Sequence, residues 1–365
     1  MPGISISQAI TIAKTHFLIT GDISLLDGDE DFNFKITTPT TSYVLKIATT
    51  NLEKIDAQIS ILDFLSQKEL PLTIPQILPN TKGEKHTIIT SNTTQFCVRL
   101  FTFIEGRLWA KVHPKTSVLR HDLGYKAGAI TKALLDFTSS QSQSDSHWDL
   151  ANASWSDKHT ALFKTEKRAL IKKFQSLFKA VEPCHKTLPK STIHADVNDY
   201  NCIVSNNFKN PEITGIIDFG DACYTQTIND VAITIAYGVM NVPDPLDAAV
   251  EILKGYKKQY SFTENELHCL FTLVAMRLIT TLTKAALRKQ ENSTNPYHSI
   301  SEQPAWELLK KWSEIHPDFA EYRFRDSCGF EAHPNKLAFE QWVKKNSYTF
   351  SELFPSEILK TDIHL

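Results

Sequence analysis

This 365-residue chain has no Cys-x-x-Cys pair, no excess of either charge and no long uninterrupted apolar run. Its six cysteines (Cys97, Cys184, Cys202, Cys223, Cys269 and Cys328) are scattered, mostly in apolar or strand-like surroundings. That pattern excludes a disulfide framework and predicts reduced thiols in a cytoplasmic protein. Lysine and arginine total 39 against 41 acidic residues, a net charge of -2, so the composition implies no nucleic-acid or other polyanion partner. No stretch approaches the roughly 20 apolar residues of a membrane span, and no basic leader precedes an apolar run at the N-terminus, so no membrane or export signal is expected. A hydrophobic share of 42% is that of a globular chain of about two domains.

Against this plain background one segment carries chemistry. His194-Ala195-Asp196-Val197-Asn198-Asp199-Tyr200-Asn201 is followed by two short strand-like stretches, Cys202 to Ser205 and Ile213 to Ile217, and then by Asp218-Phe219-Gly220-Asp221. The stretch Asn206 to Pro211 joins the two strands as a hairpin loop. An aspartate, an asparagine five residues on, and an aspartate ending an apolar strand are the set that metal-assisted phosphoryl transfer requires. Asp196 would take or orient the proton of an attacking hydroxyl. Asn201 and Asp218 would hold Mg2+, a hard cation that shares its shell with phosphate oxygens and water and needs few protein oxygens. Either piece alone is ordinary turn sequence, since Asp and Gly favour turns; their order and spacing make the signal.

These residues are similar to the aminoglycoside phosphotransferase and choline kinase family, which has a protein-kinase-like fold. Within that family, Ile193 to Asn201, Gly215 to Asp221 and Asp230 to Tyr237 resemble the hydroxylysine-kinase subgroup. So do residues 43–47, 98–107 and 295–306, whereas the last thirty or so residues carry no resemblance. One departure is Ala195, where the family usually has glycine; the added methyl predicts a loop that avoids conformations reserved for glycine. The resemblance implies that His194 and Asp230 support the catalytic loop, although Asp230 also fits the first turn of a helix capped by Asn229.

The resemblance further implies an N-terminal nucleotide-binding lobe over residues 1–101, a hinge at 102–107 and a catalytic and substrate-binding lobe over 108–365. In the first lobe Ser5 or Ser7 caps a helix with Ala9, Ile10, Ala13 and Phe17 on one side. Strands at 32–37 and 42–47 form a hairpin, and further strands run over 86–90 and 95–100, turning through Asn92. Lys46, inside an apolar strand end, needs a paired charge if buried, and the family places such a lysine on the nucleotide phosphates. Its acidic partner is expected on the next helix, whose buried stripe is Ile55, Ile59, Leu62 and Leu65; Asp56 is the first candidate and Glu53 the second. The loop at 26–33 has one glycine and four acidic residues, so any phosphate cradle there must be backbone N–H. Backbone groups of Thr102, Phe103 and Ile104 would meet the purine of ATP or GTP.

The second lobe reads as mostly helical. One helix carries Leu119, Leu123, Ala127, Ile130, Leu134 and Phe137, with Gly124 and Gly128 permitting close approach. A basic amphipathic helix spans 158–179, Asp244-Pro245 opens another, and the capping box Thr263-x-x-Glu266 opens a long one through Arg288. Ser139 to Asp145 is a polar connector. Asp199, Asp221, Tyr224 and Arg277 are substrate candidates, Arg277 serving equally as a tie for a loop. The expectation is therefore an α+β, bilobal, kinase-like enzyme phosphorylating a small amino-alcohol with ATP or GTP and Mg2+. 5-Hydroxylysine is the first acceptor, homoserine, choline, ethanolamine or an aminoglycoside the alternatives, and a nucleotide-binding pseudokinase scaffold the non-enzymatic one.

Overall fold

The computed structural model describes residues 4–28, 31–49, 51–91, 93–138, 146–291 and 300–351, with side chains to residue 346. The Ser139 to Asp145 connector, the turn residue Asn92 and residues 295–299 of the subgroup-like segment lie outside the described residues. The chain begins with helix α1 (Ile6–Phe17), opened by Ser5 in a capping box with Gln8. Its buried face is Ala9, Ile12, Ala13 and Phe17, so Ile12 takes the place expected of Ile10, which is exposed. Strands β1 (Asp22–Leu26), β2 (Phe32–Thr37), β3 (Ser42–Thr49), β4 (Ile77–Leu78), β5 (Thr87–Ser91) and β6 (Thr94–Thr102) form one antiparallel sheet. Its order is β1-β2-β3-β6-β4, with β5 also paired to β6. Alternation places Phe34, Ile36, Leu45, Ile47, Phe96, Val98 and Leu100 in one core with α1, while the opposite face carries polar residues. On that face Lys46 of β3 stands directly across from Arg99 of β6. Between β3 and β4 runs helix α2 (Leu52–Ser66), which buries Ile55, Gln58, Ile61, Leu62 and Leu65.

Past β6 the chain becomes mainly helical. Strand β7 (Arg107–Leu108) joins a three-stranded sheet with β9 (Cys202–Val204) and β10 (Ile213–Ile216), and β8 (Lys190–Ile193) pairs with β11 (Cys223–Gln226). Helix α3 (Ser117–Leu134) buries Leu119, Leu123, Ala127, Ile130 and Leu134 of the stripe expected of it, while Phe137 lies past its end. The basic segment at 158–179 does not form one helix: 3₁₀ turns occupy Leu150–Leu162, and α4 (Thr165–Thr187) begins after Phe163. Helix α5 is Ile228–Gly238, and α6 (Pro245–Tyr256) is capped by Asp244. Helix α7 (Glu264–Gln290) opens on the Thr263 capping box. Then come α8 (Glu302–Ser313), α9 (Pro317–Cys328) and α10 (Lys336–Ser351).

Glycine sets how closely α3 and α6 approach. A Cβ at Gly124 would stand 1.8 Å from the Ile252 carbonyl oxygen, and one at Gly255 would stand 1.9 Å from that of His121. Helix α7 corrects one expectation: it is long and apolar enough, at a mean hydropathy of 1.5, to cross a membrane. With 83% of that window buried by neighbouring helices, it is the central core helix, and Trp312 locks it by stacking on Phe271 and donating to its carbonyl at 3.0 Å. All six cysteines are unpaired.

Candidate active site

The site forms where the polar face of the first sheet meets the loop after β8. His194 is wholly buried, packed against Phe219 with ring centroids 4.4 Å apart. Its Nδ1 accepts the Asp196 N–H at 3.2 Å, so Nε2 carries the proton and donates to the Ile217 carbonyl at 3.1 Å. Burial pushes this imidazole below its ordinary value, which keeps it neutral. Ala195 sits at φ 63, in the left-handed region. The expectation that the alanine marks a loop free of such backbone is therefore wrong; the residue holds the glycine conformation despite its Cβ. What opposes that strain is Asp230, a fully buried carboxylate whose Oδ1 accepts the Ala195 N–H at 3.0 Å. Its Oδ2 takes the Thr131 hydroxyl at 2.7 Å and the Tyr256 hydroxyl at 3.2 Å. Asn229 does not cap α5; it lies inside the first turn, bonded to His185 at 2.8 Å and to Thr225.

Asp196 is held on both oxygens. Oδ2 accepts the side-chain amides of Asn198 and Asn201, each at 2.8 Å, and Oδ1 accepts the Arg277 guanidinium at 2.6 Å. Burial pushes this carboxyl up, with Asp221 and Asp218 adding to the push, and Arg277 opposes it; three donors around its two oxygens favour the ionised form. Asn198 also shapes the loop, its Oδ1 capping the N–H groups of Tyr200 and Asn201. The Asn201 amide nitrogen donates to Asp196, while its Oδ1 accepts no hydrogen bond among the described residues.

Asp218, at the end of the β10 run, is also left-handed, at φ 63. Lys46 reaches across from β3 with Nζ 3.0 Å from Asp218 Oδ1 and 3.1 Å from Asp31 Oδ2. Burial works to raise the Asp218 carboxyl, but the Lys46 ammonium wins and holds it below the usual carboxylate range. In turn, burial would lower the Lys46 ammonium, and the two carboxylates raise it instead. The partner of Lys46 is thus not Asp56, which is exposed beside the buried stripe of α2, nor Glu53, which is exposed as well. The residue that α2 does turn inward is Gln58, three positions after Ile55, and it accepts from Arg99.

The remaining candidates divide. Asp221 follows Asp218 in the short turn Phe219–Asp221 and feels Asp218 and Arg277 electrostatically. Tyr224 is half exposed on β11. Asp199 feels Lys115 electrostatically; burial pushes its carboxyl up to about 6 against that lysine. At the hinge, the N–H of Thr102 donates to Gln76 and that of Phe103 to Ser42, leaving Ile104 as the one of the three without a main-chain acceptor among the described residues. Sequence reasoning missed Asp31, Arg99, Asn198, Trp148 and Tyr237. Only Asn198, two residues after Asp196, had a local signal, as an Asx turn.

Asn201 Oδ1 and the Asp218 carboxylate are hard oxygen donors, and no cluster of three or more His, Cys, Asp or Glu that could hold a metal occurs among the described residues. Such a donor set fits a magnesium ion shared with phosphate oxygens.

The phosphotransferase enzyme family model matches residues 22–266. Hydroxylysine kinase of Mus musculus is 27% identical over 335 residues, covering 84% of this chain and 88% of that protein. Hydroxylysine kinase of Danio rerio is 25% identical over 348 residues, covering 90% and 96%. Among solved structures, a microcompartment-associated aminopropanol kinase superposes with a TM-score of 0.65 at 17% identity, over 90% of this chain and all of the other. An amicoumacin kinase, solved in complex with AMP-PNP, Ca2+ and Ami, gives 0.63 at 14% identity over 84% and 94%. These likenesses establish an α+β, kinase-like fold. Family match and fold together lead to one conclusion: the chain belongs to the phosphotransferase enzyme family and is a small-molecule kinase.

Proposed function

We propose that the protein transfers the γ-phosphoryl group of ATP or GTP to the hydroxyl of a small amino-alcohol metabolite, with 5-hydroxylysine the first acceptor. The observation that carries this reading is the convergence of Lys46, of Asp196 and Asn201 on one loop, and of Asp218, from three separate segments, at one site. Asp196 receives the proton of the acceptor hydroxyl. Asn201 and Asp218 hold Mg2+, which when bound neutralises charge developing on the phosphates. Lys46 turns from Asp218 and Asp31 to phosphate oxygens, and the Ile104 N–H meets the purine edge. His194 and Asp230 keep the loop in shape, and Asp221 and Tyr224 lie on the acceptor side. Residues 1–101 then act as the nucleotide lobe, 102–107 as the hinge and 108–365 as the acceptor lobe. The curated relatives are named hydroxylysine kinases; homoserine, ethanolamine and choline are the next acceptors. Six free thiols accord with a reducing, cytoplasmic setting.

The test is nucleoside diphosphate release with Mg2+ and either ATP or GTP across 5-hydroxylysine, homoserine, ethanolamine, choline and kanamycin. Release stimulated by one acceptor, reduced by about two to four orders of magnitude in Asp196→Asn with nucleotide affinity kept, is the expected outcome. Asp218→Ala should lose metal-dependent nucleotide binding. Undiminished metal dependence in that variant would remove the assignment, and silence across the panel would leave a nucleotide-binding scaffold.

A further inference from the structure

Arg277 is the feature that the common machinery of phosphoryl transfer leaves unexplained. It lies in the middle of α7 among buried Met276, Leu278 and Ile279, with only 2% of its side chain exposed. A guanidinium in such a place is prohibitive without a counter-charge, and truncating one member of a buried pair is correspondingly costly. Here the counter-charge is Asp196, 2.6 Å from Nη2. Nη1 donates to the Trp148 carbonyl at 3.1 Å. The guanidinium carbon lies 4.8 Å from the Trp148 ring and 5.3 Å from that of Tyr237, and the Tyr237 hydroxyl is itself pinned to Thr281 at 2.9 Å. Two aromatic rings and two acceptors fix the position of the guanidinium, which a flexible lysine ammonium could not reproduce.

We propose that Arg277 is a positioning residue for Asp196, anchoring Oδ1 to the helical core so that the carboxylate meets the acceptor hydroxyl in one orientation, and that it does not bind the substrate's carboxylate. This rests on Asp196 being the proton acceptor. The other partners of Asp196, Asn198 and Asn201, belong to the same loop and move with it. Arg277 is the contact that ties the carboxylate to α7, the long helix at the centre of the core. Its Nη1 and Nη2 each donate to a protein acceptor, and Nε, without a hydrogen-bond partner among the described residues, is buried away from solvent. With 2% of its side chain exposed, the guanidinium offers a substrate carboxylate almost no surface to bind.

The experiment compares Arg277→Met and Arg277→Lys with the unaltered protein. The acceptors are 5-hydroxylysine and 1,5-diaminopentan-2-ol, the same molecule without its carboxylate. Loss of orientation predicts that Arg277→Met lowers kcat about 100-fold for both acceptors, with KM and Mg2+-nucleotide Kd moving less than about threefold, since Asp196 does not bind the ground state strongly. Arg277→Lys, keeping the charge without the planar fork, should recover part of the loss. A crystal structure of Arg277→Met should show the Asp196 carboxylate turned out of its present position. A KM increase confined to 5-hydroxylysine, with kcat intact, would overturn the proposal and make Arg277 the carboxylate receptor. Should Arg277→Met not fold, a kcat in Arg277→Lys equal to the parent's would do the same. If the parent phosphorylates neither acceptor, the acceptor assignment fails by itself; the crystal structure still decides, because an unmoved Asp196 in Arg277→Met overturns the positioning role.

Discussion

Replacing Asp230 tests the brace under the loop that carries Asp196. The carboxylate is wholly buried and faces three donors: the Ala195 N–H at 3.0 Å, the Thr131 hydroxyl at 2.7 Å and the Tyr256 hydroxyl at 3.2 Å. Hydrogen bonds to a charged acceptor contribute about 1.5–3 kcal/mol each, and a stranded buried donor costs a further amount of that order. In Asp230→Ala the two hydroxyls, already in contact with each other, can pair; the Ala195 N–H cannot. The loss should therefore be about 3–5 kcal/mol, below the simple sum. Asp230→Asn keeps an oxygen for the Ala195 N–H and turns an amide toward two hydroxyls that can rotate to accept, so about 1–2 kcal/mol is expected. Because Ala195 is held at φ 63 by this contact, the loop should relax in Asp230→Ala and turnover should fall at least tenfold even where the protein is folded. Urea denaturation of the three proteins, with kcat measured well below each midpoint, reads both effects. An alanine variant within about 1 kcal/mol of the parent, or one as destabilised as Asn but fully active, would refute the brace.

Gly124→Ala should destabilise by about 3 kcal/mol or more despite the roughly 1 kcal/mol that alanine gains in a helix, because the new Cβ meets the Ile252 carbonyl at 1.8 Å and backbone cannot rotate away; a raised denaturation midpoint would contradict the packing described. His185 is buried against Asn229, and burial lowers its pKa, so the folded state holds it neutral. The unfolded chain binds that proton below about pH 6.5, so the stability from neutral His185 is present above that value and lost as pH falls through it, at up to about 1.4 kcal/mol per pH unit. Unfolding free energies of the parent and His185→Gln at pH 7 and 5.5 should show a pH dependence about 1 kcal/mol smaller in the variant. An unchanged pH dependence would mean that His185 is already charged in the fold.

The amino-acid sequence by itself determined the elements whose causes are local. Capping boxes at Ser5 and Thr263 and the Asp244-Pro245 start are satisfied within a turn, so they are legible as residue types at fixed spacing. The grouping of Asp196, Asn201 and Asp218 was legible too, as a candidate phosphoryl-transfer set, since the three sit within 23 positions and the proposed function asks for each. Only the tertiary structure decided the partners. Lys46 and Asp218 are 172 residues apart, and Arg277 and Asp196 are 81 apart. Nothing in a helical stripe tells whether Asp56 or a residue of the preceding loop reaches a lysine on a neighbouring strand. Asp31 wins because it directly precedes β2, the neighbour of β3, within reach of Lys46, whereas α2 keeps Asp56 on its solvent side. Arg277 is equally suited to substrate or scaffold from its apolar neighbours, and its burial and its ion pair with Asp196 are what favour the scaffold role. Ala195 was misjudged for the same reason: local sterics argue against a left-handed alanine, and a buried carboxylate 35 positions away overrules them.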